Sequence, residues 1–165
     1  MGARRLVLVL SALLPLACCE PDAACESAAE PTVELGRLGE GDFELLSEGE
    51  RVPISIAPQG GFGMAVRVRT TGLHAADDTR ATVHVATEID GASVGQYVLY
   101  QQALLCAGDS GSVSTVVVPL DPFVYTTNEQ LQALVGLLAT LIVDVVDAND
   151  VRGHGEAVVT LGAGE

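Results

Sequence analysis

Hydrophobic and polar positions alternate along most of this chain, most cleanly between Arg51 and Thr71. Val52, Ile54 and Ile56 recur with a period of two, Pro58-Gln59-Gly60-Gly61 interrupts them, and Phe62, Met64, Val66 and Val68 resume the pattern. A period of two on both sides of a proline–glycine break predicts two antiparallel strands joined by a turn. Met64, Val66 and Val68 then face a core while Arg67 and Arg69 face water. The double glycine calls for a positive φ at one of its residues at least.

The same reading continues on either side. Val33 and Leu35 open a first strand, Gly39 to Asp42 turns it, and Phe43 to Leu46 forms a short second one. After a loop holding His74, Asp77 and Asp78, the residues Ala81, Val83, Val85, Thr87 and Ile89 alternate strongly. Asp90-Gly91 is a hairpin turn signal, because both residues tolerate positive φ. Val94 to Cys106 reads as one long, bulged strand, the segment from Ala107 to Gly111 as a turn, and Val113 to Leu120 as the next strand.

Thr127 with Gln130 has the spacing of a capping box, so one or two helical turns are expected over Asn128 to Leu134. Leu137 to Val146 is apolar on every side and is expected as a fully buried strand. Asp147-Ala148-Asn149-Asp150 turns the chain into a last strand with Ala157, Val159 and Leu161. Gln132 and Asp144 leave too short an apolar interval for this region to cross a membrane.

Eight or nine short strands at this spacing define an all-β protein. The expected fold is an antiparallel β-sandwich, immunoglobulin-like in broad shape, with a small β-barrel as the alternative. The Cys–Trp–Cys pattern of true immunoglobulin domains is missing, since the chain has no tryptophan.

The first residues read differently. Arg4 and Arg5 precede the apolar run Leu6 to Leu16, which has the length of a signal-peptide core and falls short of the roughly 20 residues of a membrane span. The run ends in Pro15-Leu16-Ala17-Cys18-Cys19, which resembles the lipobox of bacterial lipoproteins. That resemblance implies a diacylated cysteine as the mature N-terminus: Cys18, with Ala17 before it, or Cys19, with Leu16 and Ala17 upstream. Cleavage by the general signal peptidase and plain secretion is the alternative. The expected organisation is a signal peptide over 1–18, an acidic flexible tether over 19–31 and a β-sandwich domain over 32–162. The tether, acidic and rich in alanine, has too little apolar surface to offset its ordering entropy.

Charge and cysteines narrow the partners. The formal net charge is −14, all eight basic residues are arginines, and removing Arg4 and Arg5 with the signal leaves 6 − 22 = −16. Such a surface repels phosphate backbones and anionic lipid, which excludes nucleic acid as a partner. The four cysteines suit an oxidising compartment. If Cys19 is acylated, Cys25 and Cys106 remain as the candidate disulfide; if Cys18 is, three thiols remain and one is odd. The competing reading is a buried free thiol at Cys106 and a Cys25 carried in the tail.

A second resemblance lies within the domain. Phe43, Leu46, Gly49 and Val52, the run Pro58 to Gly61, and Arg69, Gly72 and Leu73 spell F-x-x-L…G-x-x-V, P-Q-G-G and R-x-x-G-L. This is similar to short secreted bacterial proteins of unassigned function. It implies a secreted β domain and carries no activity with it.

Three motifs suggest chemistry. Gly108-Asp109-Ser110-Gly111 spells the nucleophile tetrapeptide of trypsin-like proteases, which would make Ser110 the nucleophile of a secreted hydrolase. His74 and His84 lie too close in sequence for that architecture, and a triad is a matter of geometry rather than of a tetrapeptide. Asp147, Asn149 and Asp150 are hard oxygen donors, and with Asp77 and Asp78 they would suit a calcium-dependent module. The EF-hand pattern fails at Val151, and a plain Asp/Asn turn explains the same residues. His74, His84 and His154 show no zinc-ligand spacing. Phe62, Tyr97, Tyr100, Phe123 and Tyr125 could form a sugar-stacking platform or could serve as packing. No cofactor, metal site or catalytic residue is expected. The expected protein is a non-catalytic β-sandwich binding or structural module on a lipoprotein of the bacterial cell envelope. The acyl anchor would tie it to a membrane, at the outer membrane or a periplasmic face; without the anchor it would be secreted.

Overall fold

A computed structural model of the protein describes residues 25, 29–37, 39, 41–57 and 60–164. The described chain forms β1 (Thr32–Gly36), β2 (Glu50–Ile56), β3 (Phe62–Thr71), β4 (Arg80–Ile89) and β5 (Ala92–Ala103). It continues through β6 (Leu105–Ala107), β7 (Ser110–Pro119), the helical turn α1 (Asn128–Gln132), β8 (Leu138–Val146) and β9 (Arg152–Gly162).

The ladders make two layers. In one, β3 pairs with β7, β7 with the short β6, and the other edge of β3 is shared by β1 and the end of β2. In the other, the order is β9-β8-β4-β5, all antiparallel. Strand β2 belongs to both. Glu50 to Pro53 run parallel to Val159 to Gly162 of β9, and Ile54 to Ile56 run antiparallel to Phe62 to Met64 of β3. The strand path ends at β5 and β6 without joining them, so the sheet is a sandwich and not a closed barrel. The order β1-β3-β7-β6 packed on β9-β8-β4-β5, with the start of β2 running parallel to β9, is immunoglobulin-like in broad shape.

Alternation explains the packing. Met64, Val66 and Val68 are fully buried, and Arg67 and Arg69 lie on the opposite, half-buried face of β3. Their partners across the core include Val83, Leu141, Val143 and Leu161, also buried. The layers meet closely where side chains vanish: a Cβ at Gly155 would collide with the Val33 carbonyl, and one at Gly95 with the Pro119 carbonyl. Gly60 and Gly61 have φ of 88° and 82°, and their backbone closes the β2–β3 turn onto Ala57.

Four details differ from the sequence expectation. Phe43 to Leu46 is not a strand; only Leu45 bridges to Gly36. The strand from Val94 to Cys106 divides at Leu104, which is wholly buried and anchors the crossing from one layer to the other. Its N–H donates to the Thr79 carbonyl and its carbonyl accepts from Ala76. Strand β8 is buried on one face and only half covered on the other, because no third layer packs outside it. The β2–β3 hairpin keeps its expected register but spans only the end of β2. Pro53 sits at the change of partner, where a residue without an N–H costs the ladder least. The helical turn begins at Thr127, whose hydroxyl accepts from Gln130 N–H in a full capping box.

Candidate functional site: the open flank of the sandwich

The two sides of the sandwich are built differently. On one side β2 passes between the layers and is hydrogen-bonded to β9 and then to β3. On the other, β5 and β6 end their respective sheets, so the flank is one continuous segment, Ala92 to Ala107, whose outer edges pair with no further strand among the described residues. No residue from Gly91 to Gly108 is charged or histidine. Tyr97, Tyr100 and Leu105 expose large apolar surface there, Tyr97 at 53%. The ladder between β4 and β5 is irregular near both ends of β5, and between the shifts Gly95 to Leu99 pair regularly with Thr87 to Val83.

At one end of this flank lies a groove of about 860 Å³, lined among others by Phe62, Gln96, Tyr97, Pro119, Pro122 and Phe123. The segment from Pro119 to Asp121 is drawn against the β4–β5 hairpin by three contacts. Thr87 Oγ1 donates to Pro119 O at 2.7 Å, Asp121 N donates to Val94 O at 2.6 Å, and Gly95 leaves room for the crossing. Asp121 Oδ1 accepts from Phe123 N at 2.8 Å and so holds the Phe123 backbone, the residue being 92% exposed. Of the five aromatic residues considered for a platform, Phe62, Tyr97 and Phe123 therefore share one groove. Tyr125 packs on the core and Tyr100 stands apart on β5.

The other candidate residues take structural roles. Cys25 and Cys106 are disulfide-bonded, with Cα atoms 5.4 Å apart. Cys25 is buried and its N–H donates to Ala75 O, so the folded body reaches back beyond Thr32 to this residue. The bridge closes an 81-residue separation and pins β6, the shortest strand. Cys18 and Cys19 lie outside the described residues. Ser110 is buried and its hydroxyl donates to Ala107 O at 3.0 Å, closing the β6–β7 turn. That hydrogen bond gives Ser110 a turn-forming role.

Asp147 is buried, and its carboxylate accepts from three backbone N–H groups, those of His74, Asn149 and Val151. This ties the β8–β9 turn to the loop after β3 and leaves the carboxylate committed to backbone donors. Among the described residues, no group of three His, Cys, Asp or Glu side chains is arranged to hold a metal ion. The register also sets His84 of β4 opposite Asp144 of β8, and Asp144 opposite His154 of β9. His154 Nδ1 lies 2.8 Å from Asp144 and Nε2 lies 3.1 Å from Glu156. The Asp144 hydrogen bond raises the imidazole pKa and outweighs the desolvation that opposes it, with a lesser contribution from the hydrogen bond to Glu156. Sequence spacing could not reveal this row, because it exists only across three strands.

The β1–β2 side, by contrast, carries charge. Arg37 pairs with Glu44 at 3.1 Å and with Glu50, and Arg69 pairs with Glu34 at 2.7 Å while lying 4.3 Å over the Phe43 ring. The Arg37 guanidinium, with help from the Ser47 N–H, holds the Glu50 carboxyl below the usual carboxylate range.

No known protein family, no curated protein and no solved structure matches this chain.

Proposed function

We propose that this protein is a lipid-anchored module of the bacterial cell envelope that acts by binding rather than by catalysis, and that it binds through its open flank. The anchor rests on the sequence of the first residues: a basic start, an eleven-residue apolar run and the Ala17-Cys18-Cys19 junction. Two acyl chains on one cysteine give stable attachment where one would be marginal. The observation that carries the binding role is the uncharged stretch from Gly91 to Gly108 in a chain of net charge −14. On the same side lie two terminal strands and a groove with Tyr97 and Phe123 exposed and Phe62 half-buried. Exposed aromatic side chains beside sheet edges without charge suit an interaction site.

The test is photo-crosslinking in intact cells. A photoreactive residue at Phe123 or Tyr97 is expected to capture a defined adduct, whereas one at Val151, at the far turn, is not. Equal capture at all three positions, or none, would remove the binding role. An unmodified N-terminus in the intact mass of the mature protein would remove the anchor and leave the binding role standing.

A further inference from the structure

We propose that the open flank is a self-association surface: β5 adds to β5 of a second copy of this chain as an antiparallel pair. This rests on the reading of the flank as the binding side and names its occupant.

Three observations select a second copy. The first is edge protection. Native sheets blunt exposed edges with lysines, prolines, bulges or charges. The chain has no lysine, and β5 holds no proline and no charged residue. Its register shifts confine irregularity to the ends and leave Gly95 to Leu99 as a regular open edge.

The second is charge. Two copies with a net charge of −14 each repel one another over most of their surfaces. The uncharged flank is where they can approach with least repulsion, whereas a basic partner would be drawn to the acidic faces instead.

The third is self-complementarity. An antiparallel pair formed by one strand with itself has a two-fold axis, as closed dimers require. An axis at Tyr97, the middle of the regular edge, sets Gly95 against Leu99, Gln96 against Val98 and Tyr97 against its own counterpart. Aromatic residues directly opposite one another are favourable cross-strand pairs. The two β9-β8-β4-β5 sheets would then form one continuous sheet across the dimer. A membrane anchor would raise the local concentration of copies and favour the pairing further.

The experiment is sedimentation analysis of the disulfide-intact protein without its signal segment, over a range of protein and salt concentrations. A concentration-dependent dimer is expected, and it should tighten as salt rises because screening weakens the repulsion of like-charged copies. Tyr97→Lys places two like charges opposite each other and should weaken the dimer at least tenfold with an unchanged circular dichroism spectrum. Tyr97→Phe should preserve it. If Tyr97→Lys fails to fold, Gln96→Lys, which exchanges one exposed polar residue for another, gives the same reading. A protein that stays monomeric at every concentration and salt overturns the proposal but leaves capture of another partner at this flank open to the crosslinking test. A dimer indifferent to the edge lysines overturns it as well, by placing the interface elsewhere.

Discussion

The two sides of this sandwich solve one problem in opposite ways. Each must carry the chain from one layer to the other. At the β2 side the crossing is made inside a single strand, and both halves of that strand are paired, so the hydrogen-bond ladder never stops. At the β5–β6 side the crossing is made at Leu104, a buried hinge between two terminal strands, and the ladder stops on both layers. The first side is ringed by ion pairs around Arg37 and Arg69; the second carries no charge from Gly91 to Gly108 and is held by a disulfide. A side whose backbone is satisfied can be wet and charged. A side with open edges and no charge is adapted to be covered.

The largest expected effect sharpens the contrast between core and flank. Val66 is fully buried in the middle of β3, so Val66→Asp should abolish the cooperative urea transition, since an unpaired buried carboxylate costs several kcal/mol. Tyr100→Asp, on the exposed flank, should move the monomer's midpoint by about 0.5 kcal/mol or less. Equal effects would dissolve the distinction between the buried face and the edge.

Next comes the disulfide. Closing a loop of that length constrains the unfolded chain by about 4.5 kcal/mol in the entropy model. Cys106→Ser should therefore lower the denaturation midpoint by up to that amount, and the loss should fall first on β6. Retained protection in β6 amides after reduction would show that Leu104 alone holds the flank.

A smaller effect comes from Gly60 and Gly61, both at positive φ. A β-carbon there costs roughly 1 kcal/mol or more, so Gly60→Val should lower the urea midpoint by that order. An unchanged midpoint would mean that the turn relaxes to another form.

The smallest effect is confined to the charged side. Glu50 is held below its ordinary pKa of 4.5 by Arg37, so its contribution is present above that value and is lost as pH falls through the lower folded value. Acidification below about pH 4.5 should loosen β2 slightly, and Glu50→Gln should remove that dependence; the open flank, with no charge between Gly91 and Gly108, has none to lose.

Much of the fold was legible because period-two alternation is local. The strands around Met64, Val83, Val116 and Val159 follow directly from it, as does the capping box at Thr127. Partner changes were not legible. The alternation Val52-Ile54-Ile56 runs through Pro53 without a break, and that of Val94 to Cys106 runs through Leu104, so neither crossing leaves a mark in the pattern. The long connection after β7 likewise gives no sign that Phe123 will meet Phe62 and Tyr97. Those residues converge only because Gly95 lets Pro119 cross β5, a contact between distant segments. The absence of charge from Gly91 to Gly108 was present in the sequence throughout. Its meaning depends on knowing that this stretch is an edge.

Native-state amide hydrogen exchange by NMR at low protein concentration tests the contrast most directly. Protected amides are expected in both halves of β2, those turned towards β9 before Pro53 and those turned towards β3 from Ile54 to Ile56. In β5 only alternate amides should be protected between Gly95 and Leu99, those facing β4, while the outward-facing ones exchange freely. Uniform protection of every β5 amide in the monomer, or free exchange along β2, would contradict it.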